Sequence, residues 1–124
     1  VGPGPGAGNG PAWEPELVAS GRVARLVTTG RRTGLPRPVV VGFVEEADGS
    51  ILVAATDDVT AWGLNLLDDP LCTVEFGDRR FTAVAEPLDG ADHARAISGL
   101  ILRYGTPSEG LGRGPSFRLR PIGD

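Results

Sequence analysis

The chain has 124 residues, a net charge of -4 and a pI near 4.9, with 40% hydrophobic and 23% charged residues. That is the length of one domain with a real core. No apolar run approaches the roughly 18 residues of a membrane span. The single cysteine excludes an internal disulfide, and an acidic chain with few aromatics is poor material for a nucleic-acid surface. These features point to a cytoplasmic protein without nucleic-acid partners.

Residues 1–16 begin Val1-Gly2-Pro3-Gly4-Pro5-Gly6 and cannot bury enough surface to offset their backbone entropy. They read as a flexible tail ahead of a domain over 17–124, with Trp13 as a candidate anchor on the domain. The first strand is expected over Gly21 to Thr29. The second is expected over Arg37 to Glu45, where near-continuous valine suggests burial on both faces. Ala47-Asp48-Gly49-Ser50 reads as a hairpin turn into a third strand, Ile51 to Thr56. A short helix follows, capped by Asp57 or Asp58, with Trp62 and Leu66 on one face; it ends before Pro70. Leu71 to Phe76 is a fourth strand with Cys72, Val74 and Phe76 on one face, and Arg79 to Pro87 is the fifth. Asp89 to Tyr104 is the main helix, with Ala94, Ile97, Ile101 and Tyr104 at helical spacing. Ser116 to Ile122 alternates Phe117, Leu119 and Pro121 with Arg118 and Arg120 as a last strand. About six strands with hairpin connections, one short helix and one longer one suggest a mainly β (α+β) protein, a small antiparallel barrel.

One stretch stands apart. Thr29-Gly30-Arg31-Arg32-Thr33-Gly34-Leu35-Pro36-Arg37 is a tight connection between the first two strands. From Leu17 to Val44 there are five arginines and no carboxylate, in a chain that is acidic as a whole. The planar guanidinium suits phosphate and carboxylate, so an anionic ligand is one explanation. A solvated turn with charges for solubility is the other.

Conventional catalytic sets are missing. His93 is the only histidine, so a triad or a His-based metal site would rest on it alone. Asp57-Asp58, Asp68-Asp69 and Asp89 with Asp92 fall at turns and helix starts, where capping explains them. Cys72 reads as core. There is no phosphate-loop motif and no dinucleotide-binding glycine motif. An enzyme of this composition would depend on a cofactor for its chemistry.

The arginine turn, then Ile51-Leu52-Val53-Ala54-Ala55, then Trp62-Gly63-Leu64-Asn65-Leu66 ahead of Asp69-Pro70, then Thr73-Val74-Glu75-Phe76-Gly77 with Phe81, resembles the deazaflavin (coenzyme F-420)-dependent nitroreductase family. Ser116 to Pro121 is similar to that family's last strand, and the resemblance runs from about Arg22 to Ile122. It implies a split β-barrel related to the flavin mononucleotide oxidases. It also implies hydride transfer from reduced coenzyme F-420 to a small conjugated or aromatic acceptor (a quinone, nitro compound or enone), with no obligatory acid or base. The anionic coenzyme tail would rest on Arg31, Arg32 and Arg37, with Thr33 and the backbone of Gly34. Val39, Val40 and Val41, with Ala54, Ala55 and Thr56, would line the ring. Trp62 and Asn65 would close the pocket, and Tyr104 would stand where relatives contact substrate or serve as a helix-end core residue. Two alternatives follow from the same residues: a barrel that binds flavin mononucleotide (FMN), and a barrel that carries a small ligand without turnover. Monomer and homodimer are both compatible with the resemblance. Relatives carry a longer loop with a basic residue before the tryptophan. Here Asp57 and Asp58 stand in its place; two carboxylates repel an anionic tail while the helix start attracts it.

Overall fold

The computed structural model describes residues 14–105 and 112–122. The tail to Trp13, including that anchor candidate, lies outside the described residues, as does most of the loop after Gly105. Ten elements follow in order: α1 (Glu14–Ala19), β1 (Ala24–Thr29), β2 (Pro36–Val41), β3 (Val44–Glu45), β4 (Ile51–Ala54), α2 (Ala61–Asp68), β5 (Leu71–Phe76), β6 (Arg79–Pro87), α3 (Gly90–Tyr104) and β7 (Ser116–Pro121).

The seven strands form one antiparallel sheet in the order β2-β1-β5-β6-β7-β4-β3. Its two end strands, β2 and β3, are consecutive in the chain and only Gly42-Phe43 separates them. A seven-stranded sheet whose opposite edges are two residues apart must curl round on itself, which makes it a split barrel. The core is the barrel's interior. Ala24 and Leu26 of β1, Val53 of β4, Val74 and Phe76 of β5, Ala83 and Ala85 of β6, and Phe117 and Leu119 of β7 are buried together around Phe43. The period-2 alternation expected of β5 is observed, with Cys72, Val74 and Phe76 inward.

The expected second strand is two strands. Tyr104 from the end of α3 sends its hydroxyl to the Phe43 backbone, accepting that N–H at 2.9 Å and donating to the Arg22 carbonyl at 2.7 Å. The ring needs Gly42 beneath it: a Cβ at that position would lie 2.9 Å from Tyr104 Cε2. A strand residue whose N–H is spent on a side chain is lost to the ladder, so pairing stops at Val41 and restarts at Val44. The valines of β2 are half-buried, not covered on both faces, because β2 ends the sheet. Tyr104→Phe leaves the Phe43 N–H without this partner and is expected to cost about 1–3 kcal/mol in urea unfolding.

Two further readings are corrected. α1 was expected to be tail at its start; Glu14 and Glu16 in the first turn, with Pro15 between them, are the helix-start signal that the Gly/Pro-rich context obscured. Val18 is buried and its carbonyl takes the Gly77 N–H at 2.7 Å, which fastens α1 to the β5–β6 turn. In α3 the buried line is Ala96 and Leu100, one position off the predicted stripe; Ile97, Ile101 and Tyr104 flank it and Ala94 is exposed. Small side chains mark the line of closest approach to the sheet, and a stripe drawn through the largest residues misses it.

Outside the barrel, Glu46 ties the β3–β4 hairpin to α3 and β7. Its carboxylate accepts from Arg95 at 2.6 Å and Arg118 at 2.9 Å. The Arg118 guanidinium, and after it Arg95, holds the carboxyl below its ordinary value of 4.5 despite the opposing effect of burial. A carboxyl depressed in the folded state contributes stability that is complete above the unfolded value and lost as pH falls through the folded one. Glu46→Gln is therefore expected to destabilise by about 1 kcal/mol at pH 7. The difference from wild type should disappear in urea titrations carried below the carboxylate range.

Candidate functional site

The β1–β2 turn closes through its own backbone. The Gly30 N–H donates to the Leu35 carbonyl and the Gly34 N–H to the Gly30 carbonyl, both at 2.8 Å, and Thr33 Oγ1 accepts the Leu35 N–H at 3.2 Å. A turn satisfied internally is free to project Arg31 and Arg32 outward. Facing it is the start of α2. Gly63 lays that helix against the end of β4: a Cβ there would lie 3.3 Å from the Ala55 methyl. Trp62 packs beside Phe117, with ring centroids 6.2 Å apart, so one side of the indole rests on the core and the other is open.

Between the turn and the helix runs an open groove of about 640 Å³. Its walls are Arg31, Arg32, Thr33 and Arg37 on one side and Thr60, Ala61, Trp62 and Asn65 on the other, with Gly30, Pro38 and Val39 between. The volume is within the usual range for a small-molecule site. The lining contains three guanidiniums and no carboxylate, histidine, cysteine or tyrosine. Five arginines elsewhere are paired: Arg25 with Glu75, Arg79 with Glu45, Arg95 and Arg118 with Glu46, and Arg120 with Glu86. Among the described residues Arg31, Arg32 and Arg37 form no ion pair. Three like charges placed together without counterions favour a polyanion.

The sequence-derived residues divide. Arg31, Arg32, Thr33, Arg37, Val39, Trp62 and Asn65 converge on the groove. Gly34 faces a second, smaller hollow behind the turn, and its N–H is committed to Gly30. Val40 and Val41 are not part of the lining; Val41 packs on the core. Ala54, Ala55 and Thr56 are not part of it either: Ala55 is fully buried beneath Gly63 of α2, and Thr56 is exposed outside the groove. Tyr104 is at the far end of the barrel, bound to Phe43 and Arg22. Pro38, Thr60 and Ala61 were not anticipated. Thr60 and Ala61 follow from the N-cap, which is Thr60 and neither aspartate. Asp57 instead forms a turn upstream of the helix, accepting from the Val59 N–H at 3.0 Å and the Thr60 hydroxyl at 2.8 Å. Those bonds, Thr60's first, hold its carboxyl below the ordinary range. Neither Asp57 nor Asp58 lines the groove, but the Asp57 carboxylate is bonded to the hydroxyl of Thr60, which does, so its charge stands just behind that wall.

The remaining nucleophiles are structural. Cys72 is buried and its thiol is pushed up to about 12 by desolvation and, less, by Asp69. His93 lies 2.6 Å from Ser116 Oγ and 3.1 Å from the Gly112 carbonyl. That carbonyl can only accept, so in the neutral ring Nε2 carries the proton and Nδ1 accepts from the serine hydroxyl. Ser116 is fully buried and unavailable to a substrate.

The architecture is that of a split barrel with a cationic groove beside a half-exposed tryptophan, the groove's lining free of carboxylates. The family model described as F420H(2)-dependent quinone reductase matches residues 13–106, and the chain belongs to that family. It is thus an oxidoreductase dependent on reduced coenzyme F-420. Among solved structures, an F420-H2 dependent reductase (FDR-A) is 22% identical with a TM-score of 0.66, over 80% of this chain and 94% of that one. A conserved hypothetical protein from Mycobacterium tuberculosis, Rv2991, is 21% identical with a TM-score of 0.68, over 87% and 78%. The heme storage protein HutZ from Vibrio cholerae is 19% identical with a TM-score of 0.67, over 90% and 91%. At these identities the likeness is one of fold. No curated protein matches by sequence. No helix among the described residues is long and apolar enough to cross a membrane.

Proposed function

We propose that the groove between the β1–β2 turn and α2 binds reduced coenzyme F-420 and presents it to a small conjugated or aromatic acceptor, a quinone, nitro compound or enone. The observation that carries this reading is the cluster of Arg31, Arg32 and Arg37 without a single carboxylate in the lining. The coenzyme's phosphodiester and oligoglutamate tail would lie along these three guanidiniums, where planar forks meet phosphate and carboxylate oxygens in pairs. Val39, Pro38 and the open face of Trp62 would receive the ring, excluding water from one side of it. When bound, the reduced deazaflavin supplies a hydride. The lining holds no group that titrates near neutrality, so the protein's part is binding and orientation. The cationic wall would also favour negative charge developing on an acceptor oxygen. The working place of this reaction is the cytoplasm, and the partner is the acceptor; a homodimer is compatible with it.

FMN carries one phosphate, and three uncompensated arginines exceed what it needs. A heme requires an axial ligand such as His, Cys, Met or Tyr. The groove has none, and both nitrogens of His93 are occupied elsewhere. The test is a titration with coenzyme F-420 followed by its fluorescence, with FMN in parallel. A single turnover of the reduced coenzyme with a soluble naphthoquinone then follows. Saturable binding of the deazaflavin, weak binding of FMN and oxidation of the reduced coenzyme by the quinone are expected. Preference for FMN, or binding of neither, would overturn the reading.

A further inference from the structure

β1 turns Ala24, Leu26 and Thr28 toward the interior, and all three are buried. The first two are apolar and part of the core. The third is a hydroxyl at a position whose shape a valine would fill equally well. Its partner is Asn65 of α2, also buried, whose Nδ2 donates to Thr28 Oγ1 at 3.1 Å. The other end of the same amide holds the arginine turn. Asn65 Oδ1 accepts from Arg31 Nη1 at 2.8 Å and from the Arg31 backbone N–H at 3.3 Å. An amide has two ends and only one orientation that serves both. Reversed, it would set Nδ2 against two donors of Arg31. Arg31 thus sets the orientation of the amide, and the Thr28 hydroxyl, accepting from Nδ2, anchors the amide's other end in the barrel wall.

We infer that Thr28 is a positioning residue: through the Asn65 amide it fixes the guanidinium of Arg31 at the groove before any ligand arrives. Asn65 then acts mainly through Arg31, since its oxygen is committed to that residue. Arg32 and Arg37 have no such anchor among the described residues. Arg31 alone is held by a chain of buried polar groups reaching into the barrel wall, with a further contact from Nη1 to the Ala61 carbonyl at 3.5 Å. Pre-ordering one guanidinium removes the entropy cost of fixing a long side chain on binding.

The consequence for coenzyme affinity rests on the functional reading above; the restraint of Arg31 does not, and the two are tested separately. Restraint is read by NMR on the ligand-free protein, from the hydrogen exchange and line shape of the Arg31 guanidinium, assigned by its loss in Arg31→Lys. A restrained signal is expected in wild type and in Thr28→Ser, and an averaged, fast-exchanging one in Thr28→Val. Thr28→Ala reads the same loss if valine disturbs the fold. In coenzyme F-420 titrations, Thr28→Val should bind about tenfold more weakly, the scale of one hydrogen bond to a charged group. Thr28→Ser should bind like wild type. An Arg31 signal unchanged in Thr28→Val, one already averaged in wild type, or an averaged signal with unchanged coenzyme affinity overturns the inference. Failure of wild type to bind the coenzyme overturns the functional reading and leaves the NMR comparison to decide the restraint.

Discussion

Replacing Arg31 and Arg32 together by alanine is expected to weaken coenzyme F-420 binding by roughly 10²-fold or more. Each guanidinium that makes a charge-assisted hydrogen bond to the tail contributes about 1.5–3 kcal/mol, and the two together lie in the range of two to four decades. The double substitution removes two of the three uncompensated charges of the groove and leaves Arg37 as its remaining cation. It also withdraws both donors that Arg31 gives to Asn65 and Ala61, except the backbone N–H. Fluorescence titration at low and high salt reads the effect. The loss should shrink as salt rises, because exposed charges are screened beyond about 8–10 Å at physiological ionic strength. Unchanged affinity would mean that the tail lies elsewhere. Stability should change little, since both side chains are exposed and neither forms an ion pair among the described residues.

Phe117→Ala is expected to produce the largest loss of stability, about 3–5 kcal/mol in urea unfolding. Phe117 is fully buried in the barrel core, on β7 opposite Val53 of β4. Removing the ring leaves a cavity that the surrounding strands cannot close, because each is held in a ladder on both sides. A domain of this size has about 5–15 kcal/mol in total, so the variant should sit near its unfolding threshold. The site suffers with the core. Trp62 loses the aromatic surface on which its inner face rests, and its emission, read in a Trp13→Phe background, should shift to the red. A loss below about 1 kcal/mol would show that the barrel repacks around the gap. That outcome would remove Phe117 as the support of Trp62.

Much of the fold was legible because it follows from local rules. β5 and β6 have the boundaries that alternation and the Gly77-Asp78 turn imply. The main helix starts at an aspartate cap and ends at Gly105, whose φ of 87° suits only a residue without a side-chain clash. The arginine turn stood out by charge alone. What local rules missed was decided by contacts between distant segments. The break at Gly42 depends on Tyr104, 62 positions along the chain. The half-burial of β2 depends on sheet order, which periodicity within one strand does not contain. The groove's second wall, Thr60 and Ala61, depends on where α2 starts; the aspartates upstream had a competing use in a turn.

By itself the sequence determined the strand and helix content, the inward face of each well-patterned strand, and the concentration of arginine in an acidic chain. Such features are set by side-chain period, turn chemistry and composition, all of them local. The tertiary structure decided which arginines are free and which are paired, since ion pairs such as Arg118 with Glu46 join residues far apart in the chain. It also decided that Ala55 lies beneath α2 while Pro38 lines the groove. The polar chain from Thr28 through Asn65 to Arg31 belongs with these: its three members look unrelated in sequence, and only the packing of α2 against β1 puts them within hydrogen-bonding distance.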